Sequence, residues 1–281
     1  KGYNRDKMFT DEGTTNLTDG EDFFYGYYLP YQGQLHTDSL SGTTDSAAGA
    51  TALACGYKTI NHYVGRDENL NDVQSLTELA ASLGMATAVM STDLQTGATP
   101  SGFSAHANDR DDTDDILDSQ VKLMKNCGTL IRCGLDSSNT YQETITEVLT
   151  ELGQSETFFM MYEEAYIDKH SHNQDKDKAT WAVFRFNQAI ARFMEYAFYH
   201  PDTFVLITAD HETGNLTDMG GILTYGNGDH SAKLVPVFAY GIGGDVFHGK
   251  EIENVQIPKT FAKMWGKELM KETDNVWPPL N

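Results

Sequence analysis

Apolar runs of strand length alternate with helix-like patterns along most of this chain. Residues 74–83 carry Leu76, Leu79 and Leu83 on one helical face, and Gly84 supplies a stop. Residues 85–91, mostly apolar, read as a buried strand. A short helix is predicted over 144–152 and a strand over 157–162. A long helix over 179–199 carries Trp181, Phe184, Ile190, Phe193 and Met194, and Pro201-Asp202 breaks it. Further strands are predicted over 204–209 and 235–240. There is no internal repeat and no Pro/Gly linker. The alternation predicts an α/β fold: a mostly parallel central sheet with helices on both faces. Ligands of such sheets bind beyond the C-terminal strand ends, and the polar clusters of this chain fall there.

Composition narrows the picture. The 281 residues suffice for one large α/β domain, and the reading is a single domain over 1–281. The formal net charge of −21 argues against a nucleic-acid-binding surface and against anionic membranes, which want basic partners. An anionic substrate would need cations in the site to reverse the local field. The three cysteines, Cys55, Cys127 and Cys133, make no disulfide scaffold. Cys55 reads as a buried thiol, and Cys127 and Cys133 are left without an assigned pairing. No apolar run approaches the roughly 20 residues of a membrane span. No signal peptide is visible, and a start at Lys1 suggests a processed or trimmed chain. The acidic run 109–115 reads as a helix's first turn and solvated face rather than as a calcium site.

The candidate chemistry begins at Thr44-Asp45-Ser46-Ala47-Ala48, where Ser46 opens a helix of small residues. A helix N-terminus offers free N–H groups and partial positive charge to a phosphate, although such runs also serve close helix–sheet packing. Asp210-His211 ends the 204–209 strand and offers one oxygen and one imidazole ligand, or a simple hydrogen-bonded pair. Asp168 and His172, four apart, share a face of a helical turn, while His170 points elsewhere. His230 lies in a glycine-rich loop and could complete a ligand set. Thr99 follows the 85–91 strand, and Arg110 could clamp two phosphate oxygens or pair with the acids beside it.

Together these segments resemble the alkaline phosphatase family. The resemblance rests on Thr44-Asp45-Ser46-Ala47-Ala48 with Gly56-Tyr57-Lys58-Thr59 and Asn61, and on Ala98-Thr99-Pro100 with Arg110. It continues through Glu163 with Asp168 and His172, through residues 208–214, and through His230 with residues 235–241, all in the family's order. The short stretch between Asp136 and Thr157 suggests the compact bacterial kind. The resemblance implies a phosphomonoester hydrolase with Ser46 as nucleophile. It assigns Asp168, His172 and His230 to one zinc and Asp210 and His211 to a second. Thr99 and Glu163 go to a third site, usually magnesium. Asp45, Arg110 and Lys169 fall at the substrate, a small phosphate monoester. It further implies a homodimer that is periplasmic, secreted or surface-anchored.

Two departures stand out. The family opens on a strand ending in Gly-Asp-Gly, whose aspartate bridges the second zinc and the magnesium, and nothing before residue 36 matches it. Asp11, Asp19 and Asp22 lie in polar sequence and receive no role; the simplest account is a chain that starts just after that strand. Relatives also commonly carry Asp or His where this chain has Gly97, so the third metal loses a support. Alternatives are a phosphodiesterase of the same superfamily and a non-catalytic zinc- or phosphate-binding relative. A sulfatase would need a modified Cys or Ser in another context.

Overall fold

The computed structural model describes residues 29–135, 140–218 and 223–271; Asp11, Asp19 and Asp22 lie outside these. Three parallel strands, β2 (Ala86–Ser91), β3 (Leu130–Arg132) and β4 (Phe158–Glu163), form one sheet in the order β3-β2-β4. A second sheet is ordered β11-β1-β10-β5, from β1 (Tyr31–His36), β5 (Val205–Ile207), β10 (Val235–Tyr240) and β11 (Glu251–Glu253). It is mixed: β1 runs parallel to β11, while β10 is antiparallel to both β1 and β5. Between β5 and β10, the short strands β6 (Glu212–Thr213), β7 (Thr217–Asp218), β8 (Leu223–Thr224) and β9 (His230–Ser231) pair antiparallel, β6 with β9 and β7 with β8. The parallel architecture is thus present, with β10 as the strand that reverses.

Alternation along the strands sends side chains to different layers. Val89 and Phe159 join Leu35, Val235 and Val237 in a core shared by both sheets and by helices α1 (Ser46–Cys55) and α2 (Leu76–Ser82). Ala88 and Met90 face the other way, against α5 (Thr140–Leu152) and α7 (Lys176–Tyr199). Ile190 and Met194 of α7 also meet Ile207 and Phe238. Helices therefore cover both faces, as the pattern predicts.

Boundary shifts have local causes. Helix α2 starts at Leu76 rather than at 74 because Ser75 caps it, in a capping box with Glu78. Helix α7 starts at Lys176 because the Asp175 side chain accepts from the Lys178 N–H. Strand β5 is shorter than the predicted 204–209. Its ladder with β10 ends at Ile207 opposite Phe238, because Pro236 farther along has no N–H to offer. Thr208 Oγ1 instead donates to the Pro236 carbonyl, and the chain is free to turn at Asp210. Leu83 and Trp181, read as helix-face residues, are exposed, with Trp181 stacked on Phe184. Helix α3 (Ala98–Gly102) carries Thr99, and in the acidic run Asp114 and Asp115 occupy the first turn of α4 (Thr113–Cys127). All three cysteines are free, and Cys55 is buried.

His106 makes a largely buried pair with Glu78 of α2. Its Nε2 lies 2.9 Å from Glu78 Oε1 and its Nδ1 2.7 Å from the Gly65 carbonyl. Burial opposes the charge on His106, but the Glu78 carboxylate prevails and raises its pKa to about 9 from an ordinary 6.5. A folded value above the unfolded one means stabilisation complete below 6.5 and lost as pH rises through about 9. His106→Ala is expected to cost roughly 3 kcal/mol at pH 6 and clearly less at pH 10. Urea unfolding at the two pH values checks this, and equal costs would contradict it.

Candidate active site

The site forms where α1 begins and where β2, β4 and β5 end. Asp45 is the N-cap of α1, its Oδ1 accepting the Ala48 N–H at 2.9 Å, so Ser46 is the first helical residue. Every residue of α1 after Ser46 is buried. The small side chains have a packing reason: a Cβ on Gly49 would lie 3.1 Å from Asp210 Cβ. That close approach sets the helix start against the end of β5. Ser46 Oγ then lies 3.0 Å from His211 Nε2. The packing reading of the small-residue run therefore holds, and that packing is what sets the serine beside His211.

The expected ligand residues converge. Asp168 and His172 sit on α6 (Tyr166–His172), with Asp168 Oδ1 3.3 Å from His172 Nε2 and 3.6 Å from His230 Nε2. The two Nε2 atoms are 3.0 Å apart. His172 Nδ1 contacts the Gly228 carbonyl at 2.6 Å, and His230 Nδ1 the Thr44 carbonyl at 2.8 Å. A carbonyl only accepts, so each Nδ1 carries the hydrogen and each Nε2 offers a lone pair. Two lone pairs and a carboxylate facing one another call for a shared positive charge, a proton or a metal ion. His211 Nε2 adjoins Asp210 Oδ2 at 3.2 Å, and the His211 ring stacks on His230 with centroids 3.5 Å apart. The two expected ligand sets are thus neighbours; Asp168, His211 and His230 also offer ligand atoms within 4.8 Å of one another. Thr213 donates to Asp168 and lies 3.2 Å from His211 Nδ1.

The electrostatics fit cations. Burial, then the Asp168 charge, pushes the Asp210 carboxyl up to about 7. Burial likewise pushes Glu163 up to about 7, against hydrogen bonds from Ser91 and Thr99. Burial and the neighbouring His230 hold His211 down to about 3, which keeps its imidazole neutral, the form a metal needs. Burial opposes ionisation of Asp168, but the adjoining His230 ring and the Thr213 hydroxyl hold it at about 2. Carboxylates beside imidazoles form a nitrogen-and-oxygen donor set suited to zinc. Glu163 with the Thr99 hydroxyl is an oxygen set suited to magnesium.

Arg110 and Lys169 line the same cavity, of 730 Å³, together with Ser46, Asp168 and Asp210. Arg110 does not pair with the acids beside it. Its guanidinium lies 3.2 Å from Asp45 Oδ2, an oxygen that also accepts the His62 N–H. Asp45 thereby caps α1 and holds Arg110 beside Ser46. Lys169 pairs with Asp93. Asp93, Ser91 and Thr213 were not singled out by the sequence reading; Asp93 follows a predicted strand, which was its only signal. Glu212 bonds Ser231 and the Leu216 N–H instead of the cluster. His170 packs on Tyr166 with ring centroids 5.4 Å apart, and His62 stands at the rim beside Asp109.

Comparison with known proteins agrees with this geometry. The family model described as alkaline phosphatase matches residues 11–137 and 135–228. Alkaline phosphatase 4 of Bacillus subtilis is 27% identical over 291 residues, covering 80% of this chain and 61% of its own length. The alkaline phosphatase of Schizosaccharomyces pombe is 29% identical over 272 residues, covering 68% of this chain and 51% of its own length. The chain thus spans between half and two thirds of those relatives. The solved alkaline phosphatase of the Antarctic bacterium TAB5 superposes with a TM-score of 0.78 at 24% identity, over 88% of this chain and 92% of that one. A variant of it, described with Mg bound in the M3 site, gives 0.76 at 24% identity, over 91% and 94%. With two stretches that together span well over half of its residues matched by the family model, this chain belongs to the alkaline phosphatase family.

Proposed function

We propose that this protein hydrolyses small phosphate monoesters through a phosphoserine on Ser46, with two zinc ions and a third metal, magnesium, beside it. The observation that carries the reading is the Ser46 hydroxyl at the start of α1, 3.0 Å from His211, with the Asp45-held Arg110 alongside. Asp168, His172 and His230 would hold one zinc, Asp210 and His211 the other, and Thr99 with Glu163 the third ion. Cations bound there supply Lewis-acid stabilisation of the attacking and leaving oxygens and lower the pKa of a water. The protein's own groups do the rest. Arg110 and the first N–H groups of α1 bind the non-bridging oxygens and turn the phosphorus toward Ser46 Oγ. Ser46 Oγ forms a bond to phosphorus as the bond to the departing alcohol breaks, and that alcohol leaves with a proton. Water then cleaves the Ser46 ester, releasing inorganic phosphate and restoring the hydroxyl. The reading also carries the family's homodimer and its periplasmic, secreted or surface setting.

The test is turnover of a chromogenic phosphate monoester by zinc- and magnesium-loaded protein, with the corresponding diester as competitor substrate. Faster diester turnover would favour a phosphodiesterase. Phosphate binding without turnover of either would favour a non-catalytic relative.

Arg110 allows a finer check. Its fork would grip the same two oxygens in ground state and transition state, which is uniform binding. Arg110→Ala is expected to weaken inorganic phosphate inhibition and raise KM by roughly 10- to 100-fold, with zinc content intact and a smaller drop in kcat. Arg110→Lys, which keeps the charge but loses the two-point grip, should fall between. Unchanged inhibition in Arg110→Ala would leave Arg110 only as a partner of Asp45.

A further inference from the structure

Position 97 lacks the side chain that the resemblance places beside the third metal, and the structure shows what fills the space. A Cβ built on Gly97 would lie 2.5 Å from Asp93 Oδ2 and 2.7 Å from Asp93 Cγ. The space admits one side chain, and Asp93 has it. We propose that Asp93 takes the place of the missing residue at 97 and acts as a positioning residue, fixing Lys169 at the rim of the anion site. This rests on the phosphatase reading above.

Asp93 is itself anchored from three directions. Its N–H donates to Ser91 Oγ at 2.8 Å, its Oδ1 accepts the Leu94 N–H at 2.7 Å, and its carbonyl accepts the Gly134 N–H at 2.5 Å. Ser91 Oγ in turn donates to Glu163. The Asp93 backbone is thus tied to the end of β2 and, through the Ser91 hydroxyl, to Glu163, while the Leu94 N–H holds the carboxylate. Lys169 lies on α6 one residue after Asp168, and its side chain is 42% exposed. A lysine so exposed would spread over many rotamers without a partner. Pairing with the anchored Asp93 selects one of them, with the ammonium in the cavity that holds Ser46 and Arg110.

The sign of one measurement decides between orientation and mere charge. Asp93 repels an anion, so removing it would tighten phosphate binding if only charge counted. If Asp93 acts by holding Lys169, removing it weakens binding. Calorimetric titration of the zinc- and magnesium-loaded protein with inorganic phosphate reads this directly. Asp93→Ala is expected to raise the Kd about three- to tenfold, within the usual range for coupled neighbours. The relocation variant Asp93→Ala/Gly97→Asp should recover most of the loss, because a side chain at 97 enters the space that Asp93 leaves and carries a carboxylate within reach of Lys169. In a Lys169→Ala background, Asp93→Ala should no longer weaken binding, and a full additive loss there would overturn the proposal. A parent that binds phosphate, with Asp93→Ala binding it equally or more tightly, overturns the role of Asp93 alone. A parent that binds no phosphate overturns the phosphatase reading and this inference with it.

Discussion

Ser46→Ala is expected to abolish the phosphoenzyme trapped at acid pH and to lower kcat by several orders of magnitude, roughly 10³-fold or more by analogy with the loss of other covalent nucleophiles. The serine is the one hydroxyl at the start of α1 that faces His211, at 3.0 Å. The methyl of alanine removes the nucleophile while leaving the Asp45 cap and the Arg110 pair, which rest on other atoms. The fold and the zinc content should therefore persist. Metal analysis and thermal unfolding, run with acid-quench labelling, separate loss of chemistry from loss of structure. A phosphoenzyme that survives in Ser46→Ala would move the nucleophile elsewhere.

His230→Ala should remove about one zinc per chain and lower turnover by at least 10²-fold, the scale on which even outer partners of metal ligands matter. His230 does two things. Its Nε2 faces His172 and Asp168, and its Nδ1 donates to the Thr44 carbonyl, one residue before the N-cap. Its loss strips a ligand and frees the loop before Ser46 together. His170→Ala, His62→Ala and His106→Ala are the controls, since none of their rings reaches the cluster. Unchanged zinc content in His230→Ala would remove it from the ligand set.

Much of the fold was legible because apolar periodicity is a local property. The β10 run was read at its full length, and β2, β4 and α7 to within a few residues. The starts of α2 and α7 were moved by local caps, but the end of β5 was decided by a contact across the chain. Pro236 shortens β5 from the neighbouring strand, and nothing within 204–209 signals it. Asp93 escaped notice for the same reason: it lies beyond a strand, in no motif, and becomes meaningful only when Gly97 and Lys169 fold around it.

The sequence by itself determined the kinds of chemistry present. Ligand-type residues at strand ends, a serine at a helix start and a net charge of −21 demand a cation-lined site if the substrate is an anion. Their identities, order and spacing are one-dimensional facts, and one dimension suffices to list them. Tertiary structure alone decided which side chains share a proton, a ligand or a space. It set Asp45 against Arg110 rather than leaving Arg110 to its neighbouring acids, and it turned both His172 and His230 by backbone carbonyls so that their free nitrogens meet. Those outcomes depend on distances between residues as far apart as Thr44 and His230, which only packing of α1 against the end of β5 brings together.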